Sequence, residues 1–217
     1  MRRHDLLRVP PATWDAMLAR HPDLGELPLV TGWALQGWPV IVRRRLAADA
    51  SGDIPAALPL PPAYGKRRIA FAFPGDADLH ALPPVSLRDA AHAAPPEWQP
   101  VIAEIIQLGE AVGVVPRVFG SLLWQHATGL SYIAAGSDLD LLWSGANHAS
   151  MRTLAGELQR LDEHGAVRID GEIEMPDGAA FNWRELALRR GGDTVLLKTM
   201  AGVELRAIDD LIRGPVA

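Results

Sequence analysis

The run Ser137-Asp138-Leu139-Asp140-Leu141-Leu142-Trp143 limits what this chain can fold into more than any other segment. Side chains two apart in a strand share a face. A strand here therefore sends Leu139 and Leu141 into a core and projects Asp138 and Asp140 together on the opposite side. Two carboxylates held side by side repel, and keeping both ionised is costly unless a cation sits between them. Mg²⁺, which takes carboxylate oxygens together with phosphates, meets that need, and Mn²⁺ is a possible substitute.

The segment upstream supplies the complementary chemistry. Val118-Phe119-Gly120-Ser121 reads as a strand turning into a helix over Leu122–Ala127. The backbone N–H groups after Gly120 and the Ser121 hydroxyl, at a helix N-terminus, are suited to an anion. A two-metal site needs a third carboxylate. The strand expected over Val167–Met175 alternates Val167, Ile169, Gly171, Ile173 and Met175 with Arg168, Asp170, Glu172 and Glu174. Glu172, central in that strand, is the favoured third ligand and Asp170 the next candidate. Gly171 leaves room for a close approach of ligand or backbone.

The two halves of the chain differ in texture, with Ala94-Pro95-Pro96 as the boundary between residues 1–94 and 95–217. The first half is proline-rich. It predicts a helix over Pro11–Arg20, strands at Pro28–Thr31, Pro39–Arg43 and Ile69–Phe73, a loop over Asp76–Pro84, and a short helix at Ser86–Ala93 capped by Ser86. The second half alternates: helix Glu97–Ala111, strand Val114–Phe119, the acidic strand, helix Asn147–His164, strands Val167–Met175, Thr194–Thr199 and Val203–Leu205, and a closing helix Ala207–Arg213. The order is that of an α+β protein, a small α/β domain followed by a mixed sheet covered by helices.

Composition narrows the function. Twenty-six acids against 21 Lys and Arg, a net charge of −5, disfavour a nucleic-acid binder. The absence of cysteine removes disulfides, thiolate zinc sites, iron–sulfur clusters and cysteine nucleophiles. No apolar run approaches the roughly 20 residues of a bilayer span, and no signal peptide follows Met1-Arg2-Arg3. A cytoplasmic protein without a membrane partner is expected. Basic residues cluster in the first half, at Arg43-Arg44 and Lys66-Arg67-Arg68. Because arginine forks match phosphate oxygens, Arg43, Arg44, Lys66 and Arg67 are candidate phosphate contacts, with a solvated surface as the alternative. Lys198, ending Val195-Leu196-Leu197-Lys198, either faces a phosphate pocket or lies on an outer face. Trp183 reads as core beside an Arg184–Glu185 ion pair. The seven histidines show no metal spacing, and His126 and His164 read as structural groups near helix ends.

Gly120-Ser121 followed by Ser137-Asp138-Leu139-Asp140-Leu141 resembles the signature of the polymerase-β-like nucleotidyltransferases, which transfer a nucleoside monophosphate from a triphosphate to a hydroxyl and release pyrophosphate. The flanking residues narrow the resemblance. They are Arg3-His4-Asp5-Leu6-Leu7, Val42-Arg43-Arg44, Gly65-Lys66-Arg67-Arg68-Ile69, Leu122-Leu123-Trp124-Gln125, Thr128-Gly129-Leu130, Asp170-Gly171-Glu172 and Trp183-Arg184-Glu185. With them the chain is similar, nearly end to end, to the malonate decarboxylase holo-acyl-carrier-protein synthases, or phosphoribosyl-dephospho-CoA transferases.

The resemblance implies an N-terminal substrate- and carrier-binding domain and a nucleotidyltransferase-like catalytic domain. The donor it implies is 2′-(5″-triphosphoribosyl)-3′-dephospho-CoA, and the acceptor a serine of the apo acyl-carrier subunit of malonate decarboxylase. Asp138, Asp140 and Glu172 would hold Mg²⁺, while Ser121 and the amides after Gly120 would grip the triphosphate. The metal or the third carboxylate would help deprotonate the serine. Two other readings stay open: a nucleotidyltransferase using an ordinary nucleoside triphosphate, and a non-catalytic carrier-binding module.

Overall fold

Two runs of antiparallel and mixed pairing organise the chain in a computed structural model that describes residues 1–145, 147–188 and 193–213. The protein divides into two units, residues 1–84 with 127–132 and residues 85–126 with 133–217. The division therefore falls before Ala94-Pro95-Pro96. Residues after Pro84 pair with the second unit: the Val118 N–H donates to the Val85 carbonyl at 3.0 Å, and Ser86 bridges Arg117.

The first unit is an antiparallel sheet in the order β4-β3-β2-β1-β5, made of β1 (Leu6–Arg8), β2 (Val40–Val42), β3 (Ile54–Pro59), β4 (Arg68–Phe73) and β5 (His80–Leu82). The helix α1 (Pro11–Arg20) forms as expected and buries Trp14 and Met17. The Trp14 ring meets Phe71 edge-on at 5.5 Å, and its indole N–H donates to the Val30 carbonyl at 2.8 Å. A single turn, α2 (Pro22–Gly25), follows.

Pro28–Thr31 is not a strand. Leu29 sits at φ 68°, which no extended run tolerates, and the Trp14 and Trp33 indoles take the Val30 and Pro39 carbonyls at 2.8 and 2.9 Å in place of a ladder. Conversely, β3 is a central strand that its prolines argue against. It survives because β2 is short and pairs only Ile41 with Ala57 and Val42 with Ala56, leaving Pro55 and Pro59 outside that register. The expected loop after Asp76 contains β5, which pairs with β1.

The second unit is a sheet in the order β11-β10-β9-β8-β7-β6. Its strands are β6 (Pro116–Val118), β7 (Leu139–Ser144), β8 (Ile169–Glu174), β9 (Ala180–Asn182), β10 (Thr194–Lys198) and β11 (Val203–Ala207). Its helices are α3 (Leu87–Ala90), α4 (Gln99–Val112), α5 (Gly120–Thr128), α6 (His148–His164), α7 (Trp183–Ala187) and α8 (Ile208–Arg213). Among the described strands only β7 and β8 run parallel, and α6 makes the crossover that a parallel pair requires. Ser86 caps α3 by accepting the Asp89 N–H at 3.1 Å, and Asn147 caps α6 by accepting that of Ser150 at 2.9 Å. Met151, Leu154, Leu158 and Leu161 of α6 are buried with Leu139, Leu141, Trp143, Ile169 and Ile173 of the sheet. The result is the expected α+β arrangement with a mixed, helix-covered sheet. No described helix is long and apolar enough to cross a membrane.

Arg43, placed by sequence among the phosphate contacts, is a clamp inside the first unit. Its guanidinium donates to Asp49 at 2.7 and 2.6 Å and to the carbonyls of Ala56, Phe71 and Arg44 at 3.1, 3.0 and 3.0 Å. All five donors are thereby used, which leaves none for a phosphate. The Arg43 hydrogen bonds hold the Asp49 carboxyl below its ordinary value of 3.8, against the opposing effect of burial. A depressed folded-state value contributes stability above the unfolded value that is lost as pH falls through the folded one. Arg43→Met is expected to destabilise the protein by about 2–4 kcal/mol at pH 7, because it strands a buried carboxylate. Urea unfolding measures this, and the difference between variant and parent should shrink as pH drops below about 4.

Candidate active site

Gly120 joins the two motifs read from the sequence. It lies at φ +63°, and a Cβ added there would stand 1.8 Å from Asp140 Oδ2 and 2.5 Å from its Cγ. Glycine is thus required twice, for the left-handed backbone and for the contact. The neighbouring Phe119 N–H donates to the Asp140 carbonyl at 3.1 Å. The start of α5, with Ser121 half-buried in its first turn, is therefore set against the Asp140 carboxylate.

The parallel register of β7 and β8 builds the acidic face. Asp140 stands opposite Asp170, Leu142 opposite Glu172 and Ser144 opposite Glu174, and paired residues share a face. Gly171 lies against β7, where a Cβ would come 2.4 Å from the Leu141 carbonyl oxygen. The glycine makes room for backbone. Asp138 precedes β7, and its Oδ2 accepts from Arg168 Nη1 at 3.1 Å.

The three acids of β8 have different partners. Asp170 Oδ1 accepts from the Gly171 N–H and the Asn182 side-chain amide, both at 2.8 Å. Glu172 is buried, and Lys198 Nζ donates to its Oε1 at 2.7 Å. Glu174 is buried deeper along the strand, where Arg117 donates to it at 2.8 Å and Ser144 donates through its hydroxyl. Lys198 thus lies on the acidic face, bonded to a carboxylate. Among the described residues no three His, Asp or Glu side chains converge closely enough to hold a metal by themselves.

A further ion pair fixes the base of this face. Arg184 donates to Asp162 at 2.5 and 2.9 Å and to the Ile169 carbonyl at 2.6 Å, while Asp162 accepts the Ile169 N–H at 2.7 Å. The first residue of β8 is so pinned on both sides. The Arg184 hydrogen bonds hold the Asp162 carboxyl below its ordinary value, burial opposing them. Asp162 raises Arg184 in turn, and the charges of Asp170 and Asp138 add to the effect. The expected Arg184–Glu185 pair does not form: Glu185 instead accepts the Leu196 N–H at 2.7 Å, tying α7 to β10. Trp183 is core, as expected. Burial, then neighbouring His92, lowers the His126 pKa, which suits a neutral structural ring.

Arg168, Asn182, Asp162 and Arg117 were not among the residues singled out by sequence. Asn182 could have been found from its place before Trp183-Arg184, where it caps α7 by accepting the Arg184 N–H at 2.9 Å. Arg44, Lys66 and Arg67 are exposed in the first unit, Lys66 at φ 51° beside Gly65.

A mixed sheet that gathers carboxylates against a glycine-led helix start, with a lysine and three arginines around them, is equipped to handle an anionic group. Residues 2–84 match the phosphoribosyl-dephospho-CoA transferase MdcG N-terminal domain family, and residues 86–208 the corresponding C-terminal domain family. A phosphoribosyl-dephospho-CoA transferase of Bradyrhizobium diazoefficiens is 37% identical over 212 residues, 98% of this chain and 92% of the relative. One from Xanthomonas campestris is 38% identical over 183 residues, 83% and 84% of the two chains. One from Pseudomonas putida is 32% identical over 180 residues, 80% and 82%. The chain belongs to the phosphoribosyl-dephospho-CoA transferase family. No solved structure matches it.

Gly120→Ala is expected to leave the fold intact by circular dichroism while reducing transferase activity by about 100-fold, the scale of a misplacement of roughly 1 Å at a reacting centre.

Proposed function

We propose that this chain transfers the phosphoribosyl-dephospho-CoA group from 2′-(5″-triphosphoribosyl)-3′-dephospho-CoA to a serine of the apo acyl-carrier subunit of malonate decarboxylase. The serine oxygen bonds to the innermost phosphorus of the donor, the bond from that phosphorus to the outer two phosphates breaks, and pyrophosphate leaves. The observation that carries this reading is the contact of Gly120 with Asp140, which sets a phosphate-suited helix start against a carboxylate. The family supports the phosphoribosyl-dephospho-CoA group as what is transferred, and the triphosphate donor and the carrier serine extend that reading.

Asp138, Asp140 and Asp170 are the residues that would hold Mg²⁺. Bound there, it would offset the charge on the phosphates and on the departing pyrophosphate. Mg²⁺ normally takes one or two carboxylates and completes its shell with water and substrate phosphates. The absence of a three-ligand cluster among the described residues fits an ion that arrives with the donor. Asp170 suits the third position better than Glu172. It faces Asp140 in register and is held by neutral amides, whereas Glu172 is buried and already neutralised by Lys198.

The chain's own groups then have defined work. Ser121 and the first N–H groups of α5 bind phosphate oxygens, Asn182 keeps Asp170 oriented, and the carboxylates receive the proton of the acceptor serine. The test is to weigh the apo carrier by mass spectrometry after incubation with enzyme, Mg²⁺ and each donor. The mass of one phosphoribosyl-dephospho-CoA unit is expected only with the triphosphorylated dephospho-CoA. Asp138→Asn and Asp140→Asn should lower the rate by about 10³-fold, and Asp170→Asn by about 10²-fold, the range seen when one charge-stabilising group is removed. Glu172→Gln should cost less than about 10-fold. Equal modification from ATP would overturn the donor, and carrier binding without added mass would overturn the enzyme assignment.

A further inference from the structure

Among the described arginines near the acidic face, Arg168 has the most exposed side chain. Its side chain is 62% exposed and meets Asp138 Oδ2 at 3.1 Å. The neighbouring cations are committed: Arg184 to Asp162 and the Ile169 carbonyl, Lys198 to Glu172, Arg117 to Glu174. The backbone of Arg168 is nonetheless fixed, because its carbonyl accepts the Leu139 N–H at 2.9 Å and Ile169 beside it is pinned by Asp162 and Arg184. A residue with a fixed backbone and an exposed guanidinium covers one oxygen of a carboxylate that the proposed reaction gives to a metal.

The geometry points to Arg168 as an exchangeable counter-ion: it covers Asp138 in the empty site, yields that oxygen to the incoming metal, and then grips the outer phosphates of the donor. Asp138, Asp140 and Asp170 lie toward one end of the sheet, with Asp140 facing Asp170 in register. Without a cation their mutual repulsion disfavours the arrangement. An exposed arginine offsets it at small ordering cost, since exposed pairs are weak and readily broken. Once a metal takes Asp138, the displaced guanidinium carries a positive charge beside the site that binds the triphosphate, and its planar fork fits phosphate oxygens. This inference rests on the metal and phosphate reading above. It adds a consequence that reading lacks: metal and triphosphate must help each other to bind partly through Arg168, and such coupling is reciprocal.

The experiment measures that coupling with simple probes, Mn²⁺ by electron paramagnetic resonance titration and inorganic tripolyphosphate by calorimetry, each alone and together. Arg168→Ala should bind Mn²⁺ alone about 3-fold more tightly, since its competitor is gone. It should bind tripolyphosphate in the presence of Mn²⁺ about 10-fold more weakly, the size of one charge-assisted contact. With tripolyphosphate binding unchanged when Mn²⁺ is absent, the coupling factor falls by about 10-fold, with the donor KM raised and kcat changed less. Arg168→Lys should recover part of the phosphate affinity, and Arg168→Gln carries the same test if the alanine variant does not fold. Unchanged affinities, or losses of both metal and phosphate binding, overturn the exchange. Asp138→Asn separates the two levels: if it retains Mn²⁺ binding at parental strength, the metal reading itself fails, whatever Arg168 does.

Discussion

The parallel pairing of β7 with β8 governs the second unit. It fixes Asp140 against Asp170 on one face and Leu139 and Leu141 against Ile169 and Gly171 on the other. The apolar face is held by burial under α6, with Leu139, Leu141, Ile169 and Leu154 all fully covered. The acidic face is held against its own repulsion. Like charges directly opposite one another destabilise a sheet, so the register persists only because the hydrophobic side fixes it. A slip by one residue would expose the leucines and bury the aspartates. The fold therefore supplies the free energy that keeps these carboxylates on one face.

Partners along β8 grade that face from closed to open. At the far end buried Glu174 meets half-buried Arg117 and Ser144. Next comes Glu172, neutralised by Lys198. Asp170, at the near end, receives only amide N–H donors through Oδ1. Amides orient a carboxylate while leaving its charge in place, whereas a cation cancels it. Alternation alone made these three acids equivalent. What separates them is long-range: Lys198 and Asn182 come from strands later in the chain, and no local pattern says which acid each will meet.

Much of the second unit was nevertheless readable. The helix α6 announced itself through Met151, Leu154, Leu158 and Leu161 and its cap Asn147, and the acidic strand through its alternation. Gly120 was legible as a turn, but its contact with Asp140 was not, because the two are brought together only by the pairing of β6 with β7. In the first unit local signals misled more often. Pro28–Thr31 looks like a strand but is tied by the carbonyl of Val30 to the Trp14 indole, and Pro55 and Pro59 hide a central strand. Arg43 and Arg44 look alike in sequence, yet one is fully bonded inside the unit and the other is exposed. A basic cluster thus has to be resolved residue by residue before any of it is assigned to a ligand.

The arginines near the site carry the same lesson into function. Arg184 and Arg168 both neighbour the aspartates, but the first is bound by a half-buried carboxylate and a main-chain carbonyl, with side-chain exposure of 25% against 62% for the second. A locked cation sets the resting field and cannot follow charge that appears during a reaction. An exposed one can, at an ordering cost met when a ligand binds. In the proposed reaction the aspartates would first stand without a metal and then meet a metal and a triphosphate, and such a site would use both kinds. The division between Arg184 and Arg168 fits that change in charge.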